Sequence, residues 1–253
     1  FLAEASIGPE LEETQFCELL FQRPSQIPEN TLMDGDTMDA FHNSLRNQSA
    51  RRLLIDLHPL LFPGADAQVI RGRRNLASVI DGYDDLWAKS HTFIYETQPC
   101  PSHTRGLRPS LFTEAQRRKL GIEPDKLSFY AATEEIYFPY LVGLVTGDFA
   151  VPDIADEEAT HCMSIALRGL VHLARMAGCA ESLHRQILGF SLSHDLDTVS
   201  IYGYYPIIEG TKTTYCRRLI RQFDIWTDKS KWDSYSFVYN VDEVFLPRHI
   251  RRV

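Results

Sequence analysis

Apolar positions along the chain change rhythm once. Over the first third they recur at helical spacing, and beyond it they gather into runs of strand length. The first part predicts a short helix over 16–21, then helices over 36–45 and 49–61. Pro59 and Pro63 end the last of these, because proline cannot donate to a helix ladder. Residues 69–87 predict a longer helix, with Leu76, Val79, Ile80, Tyr83 and Trp87 on one face. Residues 91–96 then alternate like a strand, and Pro99, Pro101 and Gly106 make the next stretch irregular or an edge. Thr113 caps a short charged helix over 114–120.

The run over 128–145 is strand-like, with a break near Glu134. Its apolar part, Phe-Pro-Tyr-Leu-Val-Gly-Leu-Val-Thr-Gly over 138–147, predicts a central strand buried on both faces. A long helix over 153–176 follows. Asp153, Asp156, Glu157 and Glu158 crowd its start and Arg168 and Arg175 sit toward its end, as the helix dipole favours. Met163, Ala166, Leu170, Leu173 and Ala174 make its buried stripe, and Gly178 stops it. Residues 185–193 and 198–208 predict a hairpin around His194-Asp195-Leu196-Asp197. A third strand over 213–226 and a closing helix over 242–253 with a basic end complete the chain. Helices first, then strands around one helix, imply a single α/β (α+β) domain over 27–253, with a helical N-terminal cap and an extension over 1–26.

The formal net charge of -8 opposes binding to nucleic-acid phosphate unless a local basic face exists. Five scattered cysteines with no CxxC pair read as reduced thiols of an intracellular protein, cytoplasmic or nuclear, without a structural zinc. No apolar run reaches the roughly 18 residues of a membrane span. Phe1 in place of Met suggests a trimmed N-terminus. Neither a Walker loop, a dinucleotide fingerprint nor a Gly-x-Ser-x-Gly elbow occurs, so no common nucleotide or nucleophile site is signalled.

Several segments occur in a distinctive order. They include Pro28-Glu29-Asn30-Thr31-Leu32, Pro63-Gly64-Ala65, Trp87, Pro99-Cys100-Pro101-Ser102 followed by Gly106, and Phe138-Pro139-Tyr140-Leu141. Asp153-Ile154-Ala155-Asp156, Arg168-Gly169 and His184-Arg185-Gln186-Ile187-Leu188 follow. The most telling are Ser193-His194-Asp195, Ile201-Tyr202-Gly203-Tyr204-Tyr205-Pro206 and Ile220-Arg221-Gln222-Phe223-Asp224. As a set they resemble an uncharacterised fungal family of PD-(D/E)XK nuclease-like domains, over most of the chain from Ile27 onward. The resemblance implies a restriction-endonuclease-like mixed sheet flanked by helices. It also implies a site in which acids on two adjacent strands hold magnesium and a lysine activates water. The first acid of that pattern follows Pro-x-Pro, and the second lies in a Glu-x-Lys after Phe-Pro. Here those positions hold Ser102, Leu144 and Thr146, and Asp85 stands near the place of a further acid. A neutral hydroxyl, an aliphatic chain and a second hydroxyl make no magnesium site, so no metal and no cofactor are expected.

Asp148 and Asp153 are candidate relocated ligands, although a turn residue and an N-cap are the plainer roles. Asp156 and Glu157 extend that acidic group. Arg108, Tyr140, His161 and Tyr202 are candidates to line a pocket or cleft, and His194-Asp195 with Asp197 looks like an acid–base pair but sits in an expected hairpin turn, where Asp is simply a turn former. Basic clusters at Arg71/Arg73/Arg74, Arg117/Arg118/Lys119, Arg217/Arg218/Arg221 and Arg248/Arg251/Arg252 suit a nucleic-acid groove or an ordinary surface. The leading expectation is a catalytically degenerate nuclease-fold protein that binds or regulates, with a small molecule or a macromolecule in the old cleft. Two alternatives stand beside it: an enzyme of fungal secondary metabolism with a repurposed small-molecule pocket, and a nuclease with migrated ligands.

Overall fold

The computed structural model of the chain describes residues 7–92, 97–147 and 152–253, with side chains described from Ala155 onward in the last stretch. Residues 93–96 of the strand expected over 91–96, Asp148 and the Asp153 side chain lie outside this set. Helices α1 (Leu11–Gln22), α2 (Thr37–Leu45), α3 (Ala50–Asp56), α4 (His58–Leu61) and α5 (Ala65–Ile70) come first. Strands β1 (Val79–Tyr83) and β2 (His103–Leu107), helix α6 (Glu114–Lys119) and strand β3 (Tyr137–Val145) follow. Helix α7 (Pro152–Met176) leads to β4 (Gly189–His194), β5 (Thr198–Glu209) and β6 (Lys212–Asp224), and α8 (Asp233–Asn240) and α9 (Leu246–Arg252) close the chain.

The six strands form one mixed sheet in chain order. All neighbours pair antiparallel except β3 and β4, which run parallel with Leu141 opposite Phe190 and Val145 opposite His194. A parallel step needs a crossover, and α7 supplies it across one face of the sheet. Every residue of β2, β3 and β4 is buried, whereas β6 alternates between half-buried and exposed positions as an edge strand does. The central strand expected over 138–147 is therefore β3.

Local chemistry explains three of the helix starts. Ser49 caps α3 by accepting from the Arg52 N–H. Thr113 and Gln116 form a full capping box on α6. Pro59 sits in the first turn of α4, where its missing N–H costs nothing, so the helix expected over 49–61 becomes two.

The helix expected over 69–87 is not formed. Gly72 turns the chain at φ +103°, a 3-10 turn spans Arg74–Ser78, and Val79–Tyr83 joins the sheet as β1. Leu76 and Val79 still face the core, but as a turn and a strand, and Trp87 is fully buried with its indole N–H on Thr104 Oγ1 at 2.9 Å. Asp85 consequently lies in the loop after β1 and is exposed. The strand-like run expected from 128 starts as a strand only at Tyr137, and the helix expected over 242–253 is preceded by α8 and a π-helical turn, Val241–Phe245. Helix α1 packs against α8 and α9. Phe16, Cys17 and Leu20 are buried, the Phe21 and Phe237 rings lie 4.9 Å apart, and Arg248 pairs with Glu13 at 3.3 Å.

Candidate functional site

The β2–β3 register sets His103 opposite Gly143, which carries Ser102 to the end of β3. There the Ser102 hydroxyl oxygen accepts from the Val145 N–H at 3.1 Å. Thr146 Oγ1 donates to the His194 carbonyl at 3.3 Å, and its N–H donates to the same oxygen at 2.9 Å. Leu144 is 3% exposed. Ser102, Leu144 and Thr146 are thus neighbours on adjacent strands, but their polar atoms are engaged with the main chain. They do not fit a hard divalent cation, which takes carboxylate, carbonyl and water oxygens. Among the described residues no group of three or more His, Cys, Asp or Glu side chains is placed to hold a metal ion.

Past these positions, at the carboxyl ends of the parallel pair β3 and β4, opens a pocket of about 230 Å³. Thr146, Asp156, Ser193, Asp195, Ser200 and Tyr202 line it. Asp156 organises its wall. It accepts from Tyr202 OH at 2.9 Å and Ser193 Oγ at 3.3 Å, and pairs with Arg217 at 3.3 Å. The Arg217 guanidinium lies 4.7 Å over the Tyr202 ring.

Of the four expected lining residues, Tyr202 is in this pocket. Tyr140 belongs to the buried network below, Arg108 pairs with Asp66 near the start of α5, and His161 is half-buried on α7. Several cations of the basic clusters are paired within the molecule: Arg73 with Glu243, Arg221 with Glu18 and Asp233, and Arg248 with Glu13. That pairing leaves them little free charge to spend on a phosphate backbone.

A second site was not legible as a motif. Arg105 in β2 is fully buried between two carboxylates. Its Nε and a terminal nitrogen donate to Asp81 at 2.7 and 3.1 Å, another reaches Asp242 at 2.9 Å, and the Pro63 carbonyl accepts at 2.6 Å. Burial opposes charge on Asp81, but Arg105 and His103 outweigh it and hold its carboxyl well below the usual carboxylate range. Burial also opposes charge on Arg105, and Asp242 and Asp81 more than offset that. Asp242 is pushed up by burial against the pull of Arg105 and Arg73, while both its oxygens accept, one from Arg105 and one from Tyr140 OH at 3.1 Å.

Three histidines continue from Asp81 in a chain. His103 Nε2 lies 3.0 Å from Asp81 Oδ1, an ion-pair approach that is not aligned as a hydrogen bond. His103 Nδ1 meets His58 Nε2 at 2.9 Å, His58 Nδ1 meets His194 Nε2 at 3.0 Å, and His194 Nδ1 meets the Asp195 carbonyl at 2.8 Å. None of the three rings is more than 2% exposed. Gly143 makes room for them, since a Cβ there would come within 2.8 Å of the His58 ring. The nitrogens point at one another and not at a common centre, which is a proton path and no metal cage. Burial pushes His58 well below the usual histidine range, with His103 and His194 adding to it. It lowers His103 despite Asp81, and takes His194 to about 4. The residues involved are spread from 58 to 242 on six elements. The available signal was a charge inside each of two short strands, Val-Ile-Asp81-Gly-Tyr and His103-Thr-Arg105-Gly-Leu, where only a buried partner makes an inward charge tolerable.

His249 gives an acid-stability prediction. It is fully buried, shares a 2.9 Å hydrogen bond between Nε2 and the Phe138 carbonyl, and burial takes its pKa to about 4. An unfolded histidine titrates near 6.5, so its contribution is complete above about 6.5 and is lost as the pH falls toward 4. The expected loss is roughly 3 kcal/mol over that window. In urea titrations at stepped pH, His249→Gln is expected to flatten the acid branch by one proton. An unchanged branch would mean the ring is already charged in the folded state.

A six-stranded mixed sheet with one parallel step, flanked by helices, defines a protein of the mixed α/β class, with a polar pocket at the ends of its central strands. The chain belongs to the DUF7924 family, a domain of unknown function, whose model matches residues 37–253. No curated protein matches it. Among the described residues no helix is long and apolar enough to cross a membrane.

Proposed function

We propose that this chain is a degenerate nuclease-fold module of PD-(D/E)XK type that binds a small polar ligand and has lost metal-dependent phosphodiester cleavage. One observation carries the reading. The three positions matched to a nuclease's ligands and lysine do meet at the ends of β2 and β3, and each is sealed by main-chain hydrogen bonds or burial. The neighbouring pocket, with its hydroxyls and carboxylates, suits a polar ligand held by several hydrogen bonds. That lining also bears on the repurposed-enzyme reading. Leu144 is buried beneath the strand ends and is not among the pocket's lining residues, so a polar substrate fits better than an apolar one.

Thermal unfolding with and without magnesium or manganese, beside cleavage assays on DNA and RNA, tests the proposal. A ligand of the folded state must raise Tm. The expected result is no metal-dependent shift and no cleavage; a shift accompanied by cleavage would overturn the reading. Ser102→Asp, Leu144→Glu and Thr146→Lys together are expected to create manganese binding detectable by calorimetry. A folded triple variant that binds none would show that these positions are not the descendants of a nuclease site.

A further inference from the structure

His58, His103 and His194 are strung between two groups that only accept hydrogen bonds, the Asp81 carboxylate and the Asp195 carbonyl. Four contacts join these five groups: three hydrogen bonds and the unaligned approach of His103 Nε2 to Asp81 Oδ1, and a chain with every contact filled carries one hydrogen in each. A neutral imidazole carries one, so three neutral rings supply three. In the neutral chain, one contact therefore sets two lone pairs face to face. A single added proton fills all four. The charge balance of the buried layer reaches the same count. Asp81 and Asp242 flank one guanidinium, Arg105, which leaves one negative charge, while Arg73 is taken up by Glu243. One proton on the rings brings that layer to neutrality. A second would set two cations on rings whose nitrogens are about 3 Å apart.

We propose that the three histidines form a one-proton site, which takes up a single proton as the pH falls below neutrality and shares it across the rings. Burial keeps the rings neutral at higher pH, which puts the uptake on the acid side. The charged and titratable groups that face the rings are Asp81 and Tyr83 from β1, Arg105 from β2 and Asp195 from the β4–β5 turn, with Asp242 and Tyr140 behind Arg105. The contact without a hydrogen in the neutral chain is the unaligned one, so the added proton sets an N–H of His103 toward Asp81, and sharing the charge along the chain strengthens the His194 bond to the Asp195 carbonyl. Asp195 in turn holds its hairpin turn through Oδ1, which accepts from the Asp197 and Thr198 N–H groups at 2.8 and 2.7 Å. Because His194, Asp195 and Thr198 also line the polar pocket, the shared charge lies beside that pocket's rim.

The test is nitrogen NMR of the full chain labelled at histidine ring nitrogens, followed from pH 8 to the onset of acid unfolding. Coupled sites titrate as a set, so the expected result is one transition seen on all three rings, whose added charge sums to one proton. The Asp197 and Thr198 amide signals are expected to move with it. Three outcomes would overturn the proposal: no buried ring titrates before unfolding, one ring charges while the other two stay unchanged, or the three rings together take up two protons. The measurement uses the unaltered protein, so it does not depend on a variant that folds.

Discussion

Arg105→Met is expected to lower the unfolding free energy by about 3–5 kcal/mol, the cost of leaving a buried charge without its partner. Methionine fills much of the volume, so the loss is electrostatic. Asp81 would keep only His103 and the Ala65 N–H, and Asp242 would keep Tyr140 and a distant Arg73 at 3.9 Å. Arg105→Lys is expected to fall between the two, because an ammonium keeps the charge but cannot bridge Asp81, Asp242 and the Pro63 carbonyl at once. The deficit also has a sign in pH. The depressed Asp81 carboxyl contributes stability that is present above about 4 and is lost as the pH falls below it, so variant and parent should converge in acid. Urea unfolding at pH 7 and at steps below pH 4 reads both effects. A deficit under about 1 kcal/mol at pH 7 would show that the carboxylates do not depend on the guanidinium.

Gly169→Ala is the second large effect, and two rules disagree on its direction. In the middle of a helix, alanine is favoured over glycine by about 1 kcal/mol. Gly169 lies in the last third of α7, at the point where the helix meets the backbone of Phe129 and the ring of Tyr130. A Cβ there would overlap the Phe129 carbonyl oxygen, which is main chain and cannot swing aside. Overpacking of that kind costs roughly 3 kcal/mol, so sterics win and the variant is expected to lose about 2 kcal/mol net. Denaturant midpoints decide it: a more stable variant would mean that the 128–131 segment yields to the helix.

What could be read from the sequence follows from how local each signal is. The β3 run, the long α7 stripe, the Thr113 cap and the β4–β5–β6 succession depend on neighbours within a few residues, and each formed near its expected place. Residues 69–87 misled because Leu76, Val79, Ile80, Tyr83 and Trp87 recur at helical spacing by coincidence of a turn, a strand and a loop. Pairing with β2, a contact some 25 residues away, decides that segment, and no local pattern carries it. The site divides the same way. Ser102, Leu144 and Thr146 were singled out through flanking motifs, and the Ser102 hydroxyl lies on the Val145 N–H, beside the other two positions in the chain. His58, Asp81, Arg105 and Asp242 have no mutual spacing, and only the folded sheet brings them together.

The docking of α1 onto α8 and α9 bears on the order in which the protein can be made. Asn240 Nδ2 donates to the carbonyls of Leu20 and Arg23, and Arg248 covers the Phe16 ring at 4.0 Å. During synthesis the first helix leaves the ribosome more than 200 residues before the partners that bury it. Until then Phe16, Leu20 and Phe21 have no native surface to cover them, so a chaperone holding that apolar segment would shorten the hazard of misassembly. Helix α1 is thus made before the helices that bury it and seated only after them.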